Sequence, residues 1–145
     1  MIRALYFSTM TDTISARIIA ACLFTIGIIH LIPLGGFFGA ARLETMYGIA
    51  IDNDNLEILL RHRAILFGLL GAVFCLSAFR PVYQPLAFAL ATGTLLPFFF
   101  LLTRVDNYNE AIARVALADV LALACLVTAV TCFFINSHHQ LPQNG

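Results

Sequence analysis

The sequence predicts an all-α integral membrane protein, a four-helix bundle with a long first loop, and three observations carry that prediction. Of the 145 residues, 61% are hydrophobic and only 11% are charged, against roughly 45–50% and about 25% in ordinary soluble domains; a water-soluble fold of this length has no way to hide so much apolar surface. The apolar residues gather into four runs, each long enough for a bilayer core about 30 Å thick, which takes about 20 residues of helix. Polar or helix-breaking residues bound each run, and a single transmembrane domain is expected over residues 1–145.

The first run, residues 16–34, follows the capping candidates Asp12, Thr13 and Ser15 and ends near Pro33 and the Gly35-Gly36 pair. The stretch before it is too poor in apolar residues for a signal peptide, so the run is expected as a mature transmembrane helix. The second, residues 56–79, begins where Asp54, followed three residues on by Glu57, resembles a capping box, and Arg80-Pro81 closes it. The third, residues 85–103, contains Pro97, which predicts a kink of the kind membrane helices tolerate when neighbours re-satisfy the backbone. The fourth, residues 108–135, opens where Asn107 and Glu110 repeat the cap spacing, and the polar tail 136–145 is expected to fray.

The connections are unequal. Short links at residues 80–84 and 104–107 make the second, third and fourth helices antiparallel neighbours in sequence order. The link between the first two helices, residues 35–55, is the only long one. Its stretch 40–49 reads as a short interfacial helix with Met46 and Tyr47 toward lipid or protein, either a packed loop or a lid over the bundle.

Four antiparallel spans bring the end of the first, the start of the second, the end of the third and the start of the fourth into one leaflet. The unusual residues gather there: His30; Glu57, Arg61, His62 and Arg63; Arg104 and Asp106; Glu110, Arg114 and Asp119. The other side holds Arg3, Asp12, Arg17, Arg80 and the tail pair His138-His139, read as solvated. Ionisable groups within the hydrocarbon are costly, and those that occur face the bundle interior or snorkel to the interface. With Ile135 near the far interface, Asp119 lies about 24 Å from it, inside the core, and its side chain is too short to snorkel. On the second helix, Glu57, Arg61, Ala64, Gly68 and Ala72 share one stripe whose small residues mark a close helix contact. Two readings follow for the candidate ligand-binding residues His30, Glu57, Arg61, His62, Arg63, Arg114 and Asp119. In one, an Arg61–Asp119 pair fixes helix register while Arg63 and Arg114 reach the headgroups. In the other, His30, Arg61 and Asp119 line a polar pocket open to one leaflet.

Several chemistries lack their residues. Lys is absent and the formal net charge is zero, so no basic stripe exists for nucleic acid. Cys22, Cys75, Cys125 and Cys132 fall inside apolar runs with no Cys-x-x-Cys pair, and read as packing residues; no metal and no cofactor is expected. Nucleotide-cradling, zinc-protease and serine-hydrolase motifs do not occur, and no catalytic residue is identified.

At Ile32-Pro33-Leu34, Met46-Tyr47-Gly48 and above all the run Leu59 to Gly71, with Tyr108-Asn109 and Leu117-Ala118-Asp119 later, the chain resembles a group of small uncharacterised bacterial four-helix membrane proteins. Members of that group are sometimes labelled phosphopantetheine adenylyltransferase, a soluble α/β enzyme whose H-x-G-H phosphate motif this sequence lacks. The long first loop and the Arg-containing start of the second helix also resemble, in architecture, DoxX-like proteins associated with quinone-linked complexes. These resemblances imply a multi-pass protein of the bacterial inner membrane. The expected function is to bind an amphipathic lipid- or quinone-like molecule, or to serve as accessory subunit of a larger membrane complex or homo-oligomer. The competing expectation is an intramembrane isomerase or transferase on a lipid-like substrate, with Asp119 or His30 as general base and Arg61 holding an anionic group.

Overall fold

The computed structural model describes residues 2–139, with side chains from residue 13 to residue 137. Its order is α1 (Ile2–Leu31), a 3-10 segment (Ile32–Phe38), α2 (Ala40–Tyr47), α3 (Asp54–Phe79), a 3-10 turn (Pro81–Tyr83), α4 (Gln84–Leu102) and α5 (Glu110–His139). Four stretches are long and apolar enough to cross a membrane: Thr13–Phe38, Asp54–Phe79, Pro81–Leu102 and Glu110–Ser137. The fold is the expected all-α bundle, and by these spans the protein is multi-pass.

The helix ends differ from the sequence reading in instructive ways. Asp12, Thr13 and Ser15 do not cap α1; the helix runs straight through them and Ser15 is buried. At the other end, α1 tightens after Leu31 into the 3-10 segment, where Pro33 sits in the first turn and needs no amide partner. The start of α3 is capped one residue earlier than expected, by Asn53, whose side chain accepts the Leu56 amide at 3.1 Å. The start of α5 is set by Asn109, which takes the Ile112 amide at 2.9 Å, in place of Asn107. Both corrections have one cause: an N-cap oxygen must reach the N–H of the second or third helical residue, and only these asparagines stand at that spacing. Helix α5 also continues through residues 136–139, which the sequence reading gave to a fraying tail; residues 140–145 of that tail lie outside the described part.

Spatial order does not follow chain order. Helix α1 packs most extensively on α3 and α5, while α4 makes lighter contact with both α3 and α5. Where lipid solvates apolar side chains as well as protein does, helices associate through close backbone approach and dispersion rather than hydrophobic burial. The α1–α3 crossing is built that way: a Cβ added at Gly71 would stand 2.8 Å from the Gly27 carbonyl oxygen and 3.0 Å from the Leu31 amide nitrogen. The small-residue stripe of α3 therefore runs Ala64, Gly68, Gly71, all buried, and Ala72, expected on it, is exposed. Around the crossing, Leu23 and Ile26 of α1 meet Phe74 of α3, Ala91 and Leu95 of α4, and Ala122 and Leu126 of α5. The outward faces carry Leu69, Leu76, Val82, Leu96, Leu117 and Val127, the apolar belt a bilayer would cover.

Candidate functional site

A cavity of about 720 Å³ opens between the end of α1, the start of α3, the second half of α4 and the first half of α5, with α2 at its edge. Its size falls within the roughly 300–1,000 Å³ of small-molecule sites. Pro97 forms part of the α4 wall, and its ring denies that wall the hydrogen bond to the Gly93 carbonyl that a continuous helix would make.

His30, in the last turn of α1, is 2% exposed. Its Nδ1 lies 3.0 Å from the Ile26 carbonyl, which requires a hydrogen on that nitrogen, and its Nε2 lies 3.2 Å from Thr94 Oγ1 on α4. The ring stacks on Phe67 with centroids 5.5 Å apart and makes a T-shaped contact with Phe74 at 4.9 Å, so it is packed between two aromatic side chains with both nitrogens engaged. Beyond Phe67 stands Arg63, its guanidinium 5.1 Å from the Phe67 centroid and 5.5 Å from that of Tyr47 on α2. The aromatic and guanidinium planes thus run from α2 to the core, holding one charge inside the bundle by cation–π attraction.

Asp119 lines the cavity from α5, and the guanidinium that interacts with it electrostatically is that of Arg63. The pairing with Arg61 expected from the sequence is not made. Arg61 Nη1 donates to Glu57 Oε1 at 2.9 Å, Nε donates to the Phe37 carbonyl at 3.0 Å, and the guanidinium lies over the Phe37 ring. The i,i+4 geometry on one helix explains the choice, since Glu57 is within reach whatever the tertiary packing. Arg61 and Glu57 clamp the 3-10 segment onto α3; neither they nor the exposed His62 form part of the cavity wall.

Of the candidate residues, the structure brings His30, Arg63, Arg114 and Asp119 to one cavity and leaves Glu57, Arg61 and His62 outside it. Thr94, Phe67 and Tyr108, none of them a site candidate from the sequence, also line the wall. Thr94 carried a signal, as a hydroxyl in an apolar span at the depth of His30; Phe67 carried none, being one apolar residue among many. Helix α2 forms as expected. Tyr47 is buried and lines the cavity with Met46, while Asn109 donates from Nδ2 to the carbonyls of Tyr47 at 2.8 Å and Gly48 at 3.1 Å. One asparagine therefore caps α5 and ties down α2. The thiols of Cys22, Cys75, Cys125 and Cys132 are free, and no group of three potential metal ligands exists among the described residues.

Four membrane-spanning helices around a largely apolar cavity that carries a few polar groups define a multi-pass membrane protein of the helical-bundle class. No family model, curated protein or solved structure matches the chain.

Proposed function

We propose that the protein binds an amphipathic molecule, lipid- or quinone-like, in the cavity facing one leaflet of the bacterial inner membrane. The observation that carries this reading is the composition of the wall: Phe98, Leu101, Ile112 and Val115 supply apolar surface, and His30, Thr94, Arg63 and Asp119 supply a small set of convergent polar groups. Native mass spectrometry of the protein extracted from its own membrane in mild detergent tests it. A retained small molecule is expected, and Ala118→Phe, which fills the wall of α5, should abolish retention while leaving the bundle folded. Equal retention by parent and variant would refute binding in this cavity. A second protein co-purifying at fixed stoichiometry would favour the role of accessory subunit in a larger complex.

One observation favours a second reading, an intramembrane isomerase or transferase. Asp119 accepts no hydrogen bond from any described residue, so its carboxylate is available to a substrate as a general base, whereas both nitrogens of His30 are already engaged. In that reading Arg63 takes the anion-holding part first given to Arg61. Turnover of an extracted lipid fraction that stops in Asp119→Asn would establish it.

A further inference from the structure

Resting on the binding reading above, we infer that the ligand enters the cavity polar end first and that this end is an uncharged group which both donates and accepts hydrogen bonds, a hydroxyl in the simplest case. The first support is the distribution of polarity with depth. Asp119 stands nine residues beyond the start of α5, Arg63 nine beyond the start of α3 and Thr94 eight before the end of α4, each about 12–14 Å along its helix from the membrane surface. His30 joins them through Thr94. Nearer the surface the wall is mainly apolar, with Leu101 on α4 and Val105 in the link after it, and Ile112 and Val115 on α5. A phospholipid in its ordinary posture would set its charged head against this apolar collar and its chains against the polar floor, and both contacts cost free energy. A molecule reversed, head on the floor and chain toward the mouth, matches both.

The second support is the charge of the floor. Arg63 and Asp119 interact electrostatically but do not close into an ion pair; among the described residues the one ion pair is Arg61–Glu57. Arg63 makes no hydrogen bond to a described residue, its partners being the two aromatic rings. The floor thus offers donors on one side and acceptors on the other, with charges that cancel. An anionic or cationic head would leave one member opposed to a like charge in a medium of low dielectric, where such a mismatch is expensive. A head with acceptors alone would satisfy Arg63 and leave Asp119 bare; a hydroxyl serves both. Arg114, the third charge on the wall, is exposed and stands five residues, about 7.5 Å, closer to the surface, where water and headgroups screen it.

The test uses the purified full-length protein in nanodiscs and four probes with the same sixteen-carbon chain: hexadecanol, its methyl ether, hexadecanoate and hexadecyltrimethylammonium. Binding is read by native mass spectrometry after release into the gas phase. Hexadecanol should bind about ten-fold or more tightly than the ether, the difference of one hydrogen bond to a charged acceptor, and more tightly than either ion. In Asp119→Leu the alcohol should fall to the level of the ether, and in Arg63→Gln both should weaken together. A diazirine beside the hydroxyl should crosslink to residues 94–98 or 115–119, and one about eight carbons along the chain to residues 105–112. An ether equal to the alcohol, an ion that binds best, or a reversed crosslinking map overturns the inference while the cavity remains a binding site. Failure of all four probes, with no small molecule retained from the native membrane, overturns the binding reading itself.

Discussion

Replacing Gly71 by alanine tests whether close backbone approach, rather than apolar burial, holds α1 to α3. The added Cβ would stand 2.8 Å from the Gly27 carbonyl oxygen, 3.0 Å from the Leu31 amide nitrogen and 2.7 Å from Leu31 Cγ, where ordinary contacts are 3.4–4 Å. Two of those three neighbours are backbone and have no rotamer to give, so the helices must part by roughly half an ångström along a seam packed at crystal-like density. Overpacking of this kind costs about 1–3 kcal/mol, and the gain in helix propensity of about 0.5–1 kcal/mol returns part of it, leaving a net loss of about 1 kcal/mol at the centre of those ranges. Gly93→Ala is the internal control. It lies in α4 with nothing but its own stretch of helix backbone within 4 Å of the added carbon and should gain the propensity term alone. Unfolding followed by circular dichroism, as sodium dodecyl sulfate replaces a mild detergent, should place the two variants about 2 kcal/mol apart on opposite sides of the parent. If Gly71→Ala proves as stable as Gly93→Ala, the tight α1–α3 crossing is not what holds these helices together.

Asn109→Ala should cost about 1 kcal/mol through the lost cap of α5 and should also speed hydrogen exchange in residues 40–49, because the same side chain holds the Tyr47 and Gly48 carbonyls. Protection in α2 equal to the parent's would show the latch to be idle. Arg61→Gln and Asp119→Asn should add within about 0.3–0.5 kcal/mol in thermal stability, since Arg61 is engaged with Glu57 and Phe37; a double variant that loses clearly less than the sum would contradict the structure. Reporter fusions at Tyr83 and after residue 139 should fall on one side of the membrane and a reporter at Asn53 on the other, as four spans require; any other pattern refutes the bundle's topology.

The membrane spans were legible because apolar runs about 20 residues long have few other uses. Helix α2 was legible for a different reason, a short amphipathic stretch between glycines. The caps of α3 and α5 were misplaced by one or two residues, because Asn53-Asp54 and Asn107 to Glu110 offer several capping side chains in succession and only backbone geometry selects among them. In the candidate site, the error over Arg61 arose from weighing a distant carboxylate above one a single turn away. Arg63 was read as snorkelling because long cations near a helix end usually do; what turns it inward is the pair of rings from Tyr47 and Phe67, which no spacing rule reveals. Thr94 reaches His30 across 64 positions of sequence, and a contact of that range has no local signature.

The central place of α1 bears on how the protein is made. Of the four spans this one is made first, yet its principal partners are α3 and α5, and α5 is the last of the four to be made. The α3–α4 pair, joined by the short turn at Pro81–Tyr83, is positioned to meet as soon as both have entered the bilayer. Until α5 arrives, His30 can already meet Phe67 and Phe74 of α3 and Thr94 of α4, but the side of Leu23 and Ile26 that packs on Ala122 and Leu126 faces lipid, the insertion machinery or a transient neighbour. The packing of α1 is therefore completed only by the fourth span: truncation ahead of Glu110 removes one of the two principal surfaces on which the first span rests.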